Sequence, residues 1–267
     1  MKPTELAKAV RIENCFISAI GVIAGSIIVA GGLILEYKIF LAMLSAALIT
    51  GAGNLINDFY DKEVDRRLGK EKTSNKKFYK ISMLFFGAGI FLAAFINKHA
   101  IFIAATVSIF LILYSSLMQK IKIIGNWVVA IGTSATLVYG AAVSQNYYPV
   151  ILPAFSAIFA NAAREIIKDT QDQSGDKGTK KTLPMIVKKS LLNNYILTLY
   201  SLAISLAIFL IYLGTMKNWF YIPLIGVASI LFMESALKYS NQDYAFASKL
   251  SKYGMIISLI AFIVGSI

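Results

Sequence analysis

Nine long apolar runs constrain this chain more than any other feature. They fall near residues 15–35, 39–59, 78–96, 100–118, 123–143, 150–167, 190–213, 219–237 and 253–267. A helix crossing the hydrocarbon of a bilayer needs ~20 mostly apolar residues, and the runs approach or exceed that length. Membrane-spanning strands would instead alternate over ~10 residues. Nine such helices use ~180 residues, so a chain of 267 keeps loops but no separate soluble domain. Its charged content of 15% lies well below the ~25% of soluble domains. The expectation is an all-α membrane protein with nine transmembrane helices, forming a single integral membrane domain over 1–267. The N-terminal segment shows no clear signal-peptide pattern. The single cysteine, Cys15, excludes an internal disulfide framework. Small residues recur inside the runs, as in Gly21-Val-Ile-Ala-Gly25 and Gly51-Ala-Gly53, which fits close helix–helix packing.

Charge orients the runs. Of the 26 Lys and Arg residues, only Lys38, Lys98 and Lys217 fall in the odd-numbered gaps between runs. All the others lie before the first run or in the even-numbered gaps. Positively charged loops stay cytoplasmic, which places the N-terminus inside the cell and, after nine spans, the C-terminus outside. The net charge of +12 is then a property of the cytoplasmic face, suited to anionic membrane lipid.

The acidic residues carry a sharper signal. Only 14 are present, and they include two clusters of identical spacing: Asp58, Asp61 and Asp65, and Asp169, Asp172 and Asp176. Both read D-x-x-D-x-x-x-D, one at the end of the second run and one at the end of the sixth. This repeat suggests two related four-helix halves with a ninth helix added. On a continuing helix the three positions lie at ~0°, ~300° and ~340°, a shared sector. Like charges on one face repel, and carboxylates near hydrocarbon are costly. Holding Mg²⁺, which takes oxygen ligands and shares its shell with phosphates, resolves both problems. Asn54 lies one turn before Asp58 and close to its face, whereas Asn57 points ~100° away and can ligate only if the helix end unwinds. Arg11, Lys62, Arg66, Lys120, Lys122, Arg164, Lys168 and Lys177 are candidate phosphate-binding cations. Arg164 and Lys168 stand out, one turn apart directly before the second cluster.

At these residues the chain resembles the UbiA superfamily of intramembrane prenyltransferases. The resemblance rests on Asn57-Asp58-Phe-Tyr-Asp61-Lys-Glu-Val-Asp65 and Asp169-Thr-Gln-Asp172-Gln-Ser-Gly-Asp176, and extends to Arg11-Ile-Glu-Asn14 and Tyr114-Ser115. The family pattern has two Asp-rich motifs at the cytoplasmic ends of helices 2 and 6 of a nine-helix fold. Within it, Arg164 to Asp176 and the loop Ile123-Ile124-Gly125-Asn126 look most similar to archaeal digeranylgeranylglyceryl phosphate synthases. The resemblance implies transfer of a geranylgeranyl group from geranylgeranyl diphosphate to the hydroxyl of geranylgeranylglyceryl phosphate, a step of ether-lipid synthesis. It implies Mg²⁺ on the six aspartates and catalysis beside them. Tyr114, Asn14 or an Asp then orients the acceptor hydroxyl or stabilises positive charge, and Ser115 joins the substrate site. The candidate cations are expected to exceed the needs of one metal-bound diphosphate, leaving a surplus for a phosphorylated acceptor.

Rival readings are a UbiA-type enzyme with an aromatic quinone or haem precursor as acceptor, and an ion-coupled transporter. The second motif lacks the Tyr-Ala and terminal double Asp of aromatic-acceptor members. Transporter sites sit near the bilayer midplane, unlike carboxylates at helix ends. The D-G-x-x-A-R start of CDP-alcohol phosphotransferases is absent, as is a P-loop. The lone His99 disfavours a zinc site, and no nucleic-acid motif occurs.

Overall fold

The computed structural model describes residues 3–34, 36–61, 76–117, 122–173 and 182–267. Eleven α-helices run through them: α1 (Pro3–Val10), α2 (Ile12–Ala30), α3 (Tyr37–Tyr60), α4 (Lys76–Ala94), α5 (Lys98–Ser116), α6 (Lys122–Ser144), α7 (Ile151–Gln171), α8 (Leu183–Ile186), α9 (Lys189–Tyr212), α10 (Tyr221–Ser240) and α11 (Tyr244–Ser266). Among the described residues no strand occurs, and nine helices are long and apolar enough to cross a membrane. Large apolar side chains such as Phe16, Leu84, Phe91 and Phe102 point outward. In water that surface would be a severe liability; in lipid it is the solvent-facing side. The chain is a multi-pass membrane protein.

Local signals explain where the spans depart from the apolar runs. The first ends at Ala30 because Gly31 adopts φ 66°, and its N–H caps Ile27 O. A residue without Cβ takes this left-handed turn at little cost. The last span begins at Tyr244, well before the expected 253. The Asp243 side chain accepts from Phe246 N and starts the helix there, so its first turns carry Lys249 and Lys252 past the apolar run. α1 was not foreseen at all. It is a short amphipathic helix that lays Leu6, Ala9 and Val10 against Leu55 and Phe78.

Tertiary contacts close a ring of helices in the order α2, α3, α5, α6, α7, α11 and back to α2. α4 packs outside on α3 and α5, α9 on α7, and α10 on α9 and α11. α2 and α6 also touch each other directly. A Cβ built on Gly25 would lie 2.0 Å from Leu137 O, and one on Gly140 would lie 2.1 Å from Val22 O. The glycines are therefore what lets the two backbones meet, as the small-residue pattern implies. This contact seals the ring toward the C-terminal ends of α2 and α6. Toward their N-terminal ends the ring encloses a chamber of about 930 Å³.

Candidate active site

The chamber has a polar end and an apolar body. α3 contributes Asn54, Asn57, Asp58 and Asp61 to the polar end, and α7 contributes Asn161, Arg164, Glu165, Lys168, Asp169 and Asp172. The described members of the two aspartate clusters, far apart in sequence, thus line one cavity. Their middle members have matching roles. Asp61 caps the C-terminus of α3 at φ −82°, ψ 5°, and Asp172 caps α7 at φ −90°, ψ 3°. A helix C-terminus carries partial negative charge, so each cap brings a carboxylate to the negative end of its helix, where a cation is favoured. Asp58 and Asp169, one turn earlier, are only 1% and 4% exposed. The shared face was expected only where the helix continues, and Asp65 and Asp176 lie outside the described residues. Both α-helices end before the middle aspartate, so Asp61 and Asp172 are placed by capping geometry.

Arg11 reaches this end from the joint between α1 and α2. One guanidinium nitrogen donates to Asp58 Oδ1 at 2.9 Å, the other to Asn54 Oδ1 at 3.4 Å. Asn54 in turn donates to Val10 O at 2.9 Å. The Arg11 backbone sits at φ 54°, ψ 66°, a region a side chain with Cβ enters at a cost of ~1–2 kcal/mol. The bend turns the amphipathic α1 into the span α2 and directs Arg11 onto α3. Asn57 also lines the chamber, donating to Asp61 Oδ2 at 3.0 Å. It does so from a helical position within α3. Asp61 lies one turn after it, at the C-cap of α3.

On α7, Glu165 is buried between two cations. Its Oε1 accepts from Arg164 at 3.1 Å and from Lys168 at 3.3 Å. Arg164 and Lys168 therefore face the chamber as expected but partly neutralised. Arg164 Nε is buried without a hydrogen-bond partner among the described residues, a donor available to an anion. Glu165 was not foreseen, although an acid flanked by Arg164 and Lys168 on an apolar helix was a legible signal. Lys252 and Glu13, which pair with each other and line the chamber, were also missed, because they meet only when α11 packs on α2.

Asn14, Tyr114 and Ser115 line the chamber too. A Cβ on Gly125 would lie 2.9 Å from Tyr114 Cε2, so that glycine is the space into which the Tyr114 ring fits. Lys62, Asp65, Arg66, Lys120, Asp176 and Lys177 lie outside the described residues, as does the side chain of Lys122. Among the described residues, no group of three or more His, Cys, Asp or Glu converges as a metal site. What they hold is two aspartate pairs on facing helices.

Of the cations expected in surplus, the side chains of Lys62, Arg66, Lys120 and Lys122 lie outside the described residues, while Arg11, Arg164 and Lys168 line the chamber. Lys8, Arg11, Arg164, Lys168 and Lys252 face Glu13, Asp58, Asp61, Glu165, Asp169 and Asp172. In the described lining the acids outnumber the bases before any anion enters. Paired carboxylates with amide neighbours suit hard divalent ions. The residues present therefore fit Mg²⁺. Beyond the polar end the walls are apolar, with Ala46 and Ile49 on α3, Ile103, Val107 and Leu111 on α5, and Val129 on α6.

Comparison with known proteins agrees with this architecture. Residues 18–260 match the model of the UbiA prenyltransferase family. The digeranylgeranylglyceryl phosphate synthase of Methanopyrus kandleri is 31% identical, with 97% of each chain covered. A solved structure concerning digeranylgeranylglyceryl phosphate synthase in membranes superposes with a TM-score of 0.78 at 30% identity, covering 98% of each chain. A UbiA homologue from Archaeoglobus fulgidus, solved bound to GPP and Mg²⁺, shares the fold with a TM-score of 0.65 at 18% identity, covering 97% of this chain and 99% of that one.

Proposed function

We infer the reaction from the premise that this chain belongs to the UbiA prenyltransferase family. It is a membrane prenyltransferase that transfers geranylgeranyl from its diphosphate to the free hydroxyl of geranylgeranylglyceryl phosphate. Near-full-length similarity to digeranylgeranylglyceryl phosphate synthases at about one third identity supports that acceptor. The observation that carries the mechanism is the acid-rich end of an otherwise apolar chamber. It suits a substrate with a cation-bound diphosphate head and a hydrocarbon tail.

Asp58, Asp61, Asp169 and Asp172 are the described carboxylates that would hold Mg²⁺, with Asp65 and Asp176 completing the motifs. Bound there, the metal supplies neutralisation of the charge that grows on the departing diphosphate. The chain's own residues prepare and shield this step. Arg11 and Asn57 fix the orientations of Asp58 and Asp61, which keeps the carboxylates aimed before substrate arrives. Arg164 and Lys168 supply donors to phosphate oxygens from the opposite wall. The allylic C–O bond breaks with its electron pair leaving on diphosphate, and the acceptor oxygen forms the new ether bond at that carbon. As that bond forms, the hydroxyl proton passes to an oxygen of the released diphosphate. Ile49, Val107 and Leu111 exclude water that would otherwise capture the allylic carbon. Tyr114, Asn14 and Ser115 line the same end and are the candidates for positioning the acceptor. The charge asymmetry of the loops supports a cytoplasmic N-terminus and active site and an external C-terminus. We take 1–267 as one catalytic domain.

The test is an acceptor panel with geranylgeranyl diphosphate as donor: geranylgeranylglyceryl phosphate, its dephosphorylated form, 4-hydroxybenzoate and a haem precursor. Diphosphate release and prenylated product are both measured, in Mg²⁺ and in EDTA. The expected result is efficient turnover of the glyceryl phosphate ether alone, abolished by EDTA and restored by Mg²⁺. Efficient prenylation of 4-hydroxybenzoate in its place would overturn the acceptor. Full turnover in metal-free buffer would overturn the carboxylate site.

A further inference from the structure

The chamber ends at a hydrogen-bonded floor. Tyr139 on α6 lines its deep end and is buried. The Tyr139 hydroxyl lies 2.8 Å from Ser45 Oγ on α3, and Ser45 Oγ donates to Gly89 O on α4 at 2.8 Å. Serine has one proton to give, so the Tyr139 hydroxyl donates to Ser45. The chain of donors ties α6, α3 and α4 together at one depth. Beneath it the core is packed, with Ala42, Ala93, Ile96 and Ala100 all buried. The neighbouring backbones have no room to shift. A Cβ on Gly89 would lie 2.7 Å from Ile49 Cγ1, and Gly140, next to Tyr139, already abuts Val22 O.

The depth of this floor is a length. From Asp58 to Ala46, the deepest α3 residue of the lining, the helix advances ~18 Å at 1.5 Å per residue. An extended prenyl chain covers roughly 5 Å per isoprene unit, from ordinary carbon–carbon bond lengths. Four units, about 20 Å long, already match or slightly exceed this distance, so the fourth reaches the phenol ring and a fifth has no room.

We propose that Tyr139, pinned through Ser45 to Gly89, is the stop that sets donor chain length at C20 by closing the deep end of the chamber. The proposal rests on the prenyltransferase reading and adds to it a specificity-determining residue. A stiff buried floor discriminates better than a flexible apolar wall, because extra carbons must displace a ring that is held on its far side.

The experiment measures binding of non-reactive prenyl thiodiphosphates of C15, C20 and C25 to the purified protein in detergent with Mg²⁺. No acceptor is present, so an error in the acceptor assignment leaves the result unaffected. The wild type is expected to bind C20 at least about tenfold more tightly than C25, in line with the discrimination a rigid apolar pocket achieves. Tyr139→Ala opens the floor and should remove that preference while C15 binding persists, which also shows that the variant is folded. Ala46→Leu, at the same depth, shortens the chamber and should move the preference from C20 toward C15. Equal binding of C20 and C25 by the wild type would overturn the proposal, as would an unchanged preference in both variants. Failure of every chain length to bind would overturn the prenyltransferase reading along with it.

Discussion

Replacing Arg11 separates what its charge does from what its backbone costs. In the structure Arg11 gives a 2.9 Å ion-paired hydrogen bond to Asp58, which is almost wholly buried, while its own side chain is 36% exposed. A hydrogen bond to a charged group contributes ~1.5–3 kcal/mol, and the exposure of Arg11 argues for the lower half of that range. Arg11→Ala should then destabilise the metal-free protein by about 2 kcal/mol. Arg11→Gly loses the same bond but relieves the left-handed backbone at φ 54°. About 1 kcal/mol should be recovered, leaving a net loss of about 1 kcal/mol. For a chain of this size 1 kcal/mol corresponds to ~2–4 °C. The alanine variant should therefore melt roughly 4–8 °C below wild type and the glycine variant roughly 2–4 °C below. Thermal unfolding in detergent is measured in EDTA and again in millimolar Mg²⁺. A cation at Asp58 replaces the missing guanidinium, so the deficit of both variants should shrink by at least half in Mg²⁺. Two outcomes would refute the reasoning: a glycine variant less stable than the alanine variant, or deficits identical in Mg²⁺ and EDTA.

Asp61→Ala and Asp172→Ala should each lower kcat/KM about a hundredfold, as loss of a metal ligand commonly does. Their metal-free melting temperatures should stay close to wild type, because each side chain sits at a helix end and not in the packed core. Wild-type rates in both would return the clusters to the role of ordinary surface charge. Gly25→Ala forces a methyl to 2.0 Å from Leu137 O and should cost about 3 kcal/mol, the upper end for overpacking. Gly226→Ala, with nothing within 4 Å, should be neutral or mildly stabilising. Equal yields and melting temperatures for the two would show that α2 and α6 do not depend on their close approach.

The spans were legible because each is a local property: a run of apolar side chains long enough to cross hydrocarbon shows itself without reference to the rest of the chain. The paired aspartates were legible for a similar reason. A repeated spacing at two span ends is visible in one dimension, and the charge asymmetry of the loops put both ends on one side. What the sequence could not show was which side chains face each other. Arg11 reads as one more topogenic cation until the left-handed joint turns it onto Asp58. Glu165 reads as a stray acid until α7 places it against the chamber between Arg164 and Lys168.

Tyr139 marks the boundary most clearly. Along α6 it is one aromatic in an apolar helix, where its hydroxyl has no assigned use. Only the packing of α6 against α3 and α4 brings Ser45 and Gly89 beneath it and turns a buried phenol into the end of a cavity. Long-range contacts of this kind depend on how closely helices approach, and glycines at the crossing points set that approach. The sequence by itself determined how many times the chain crosses the membrane and where its carboxylates gather. The tertiary structure decided which of them are held, what faces them, and how deep the chamber runs.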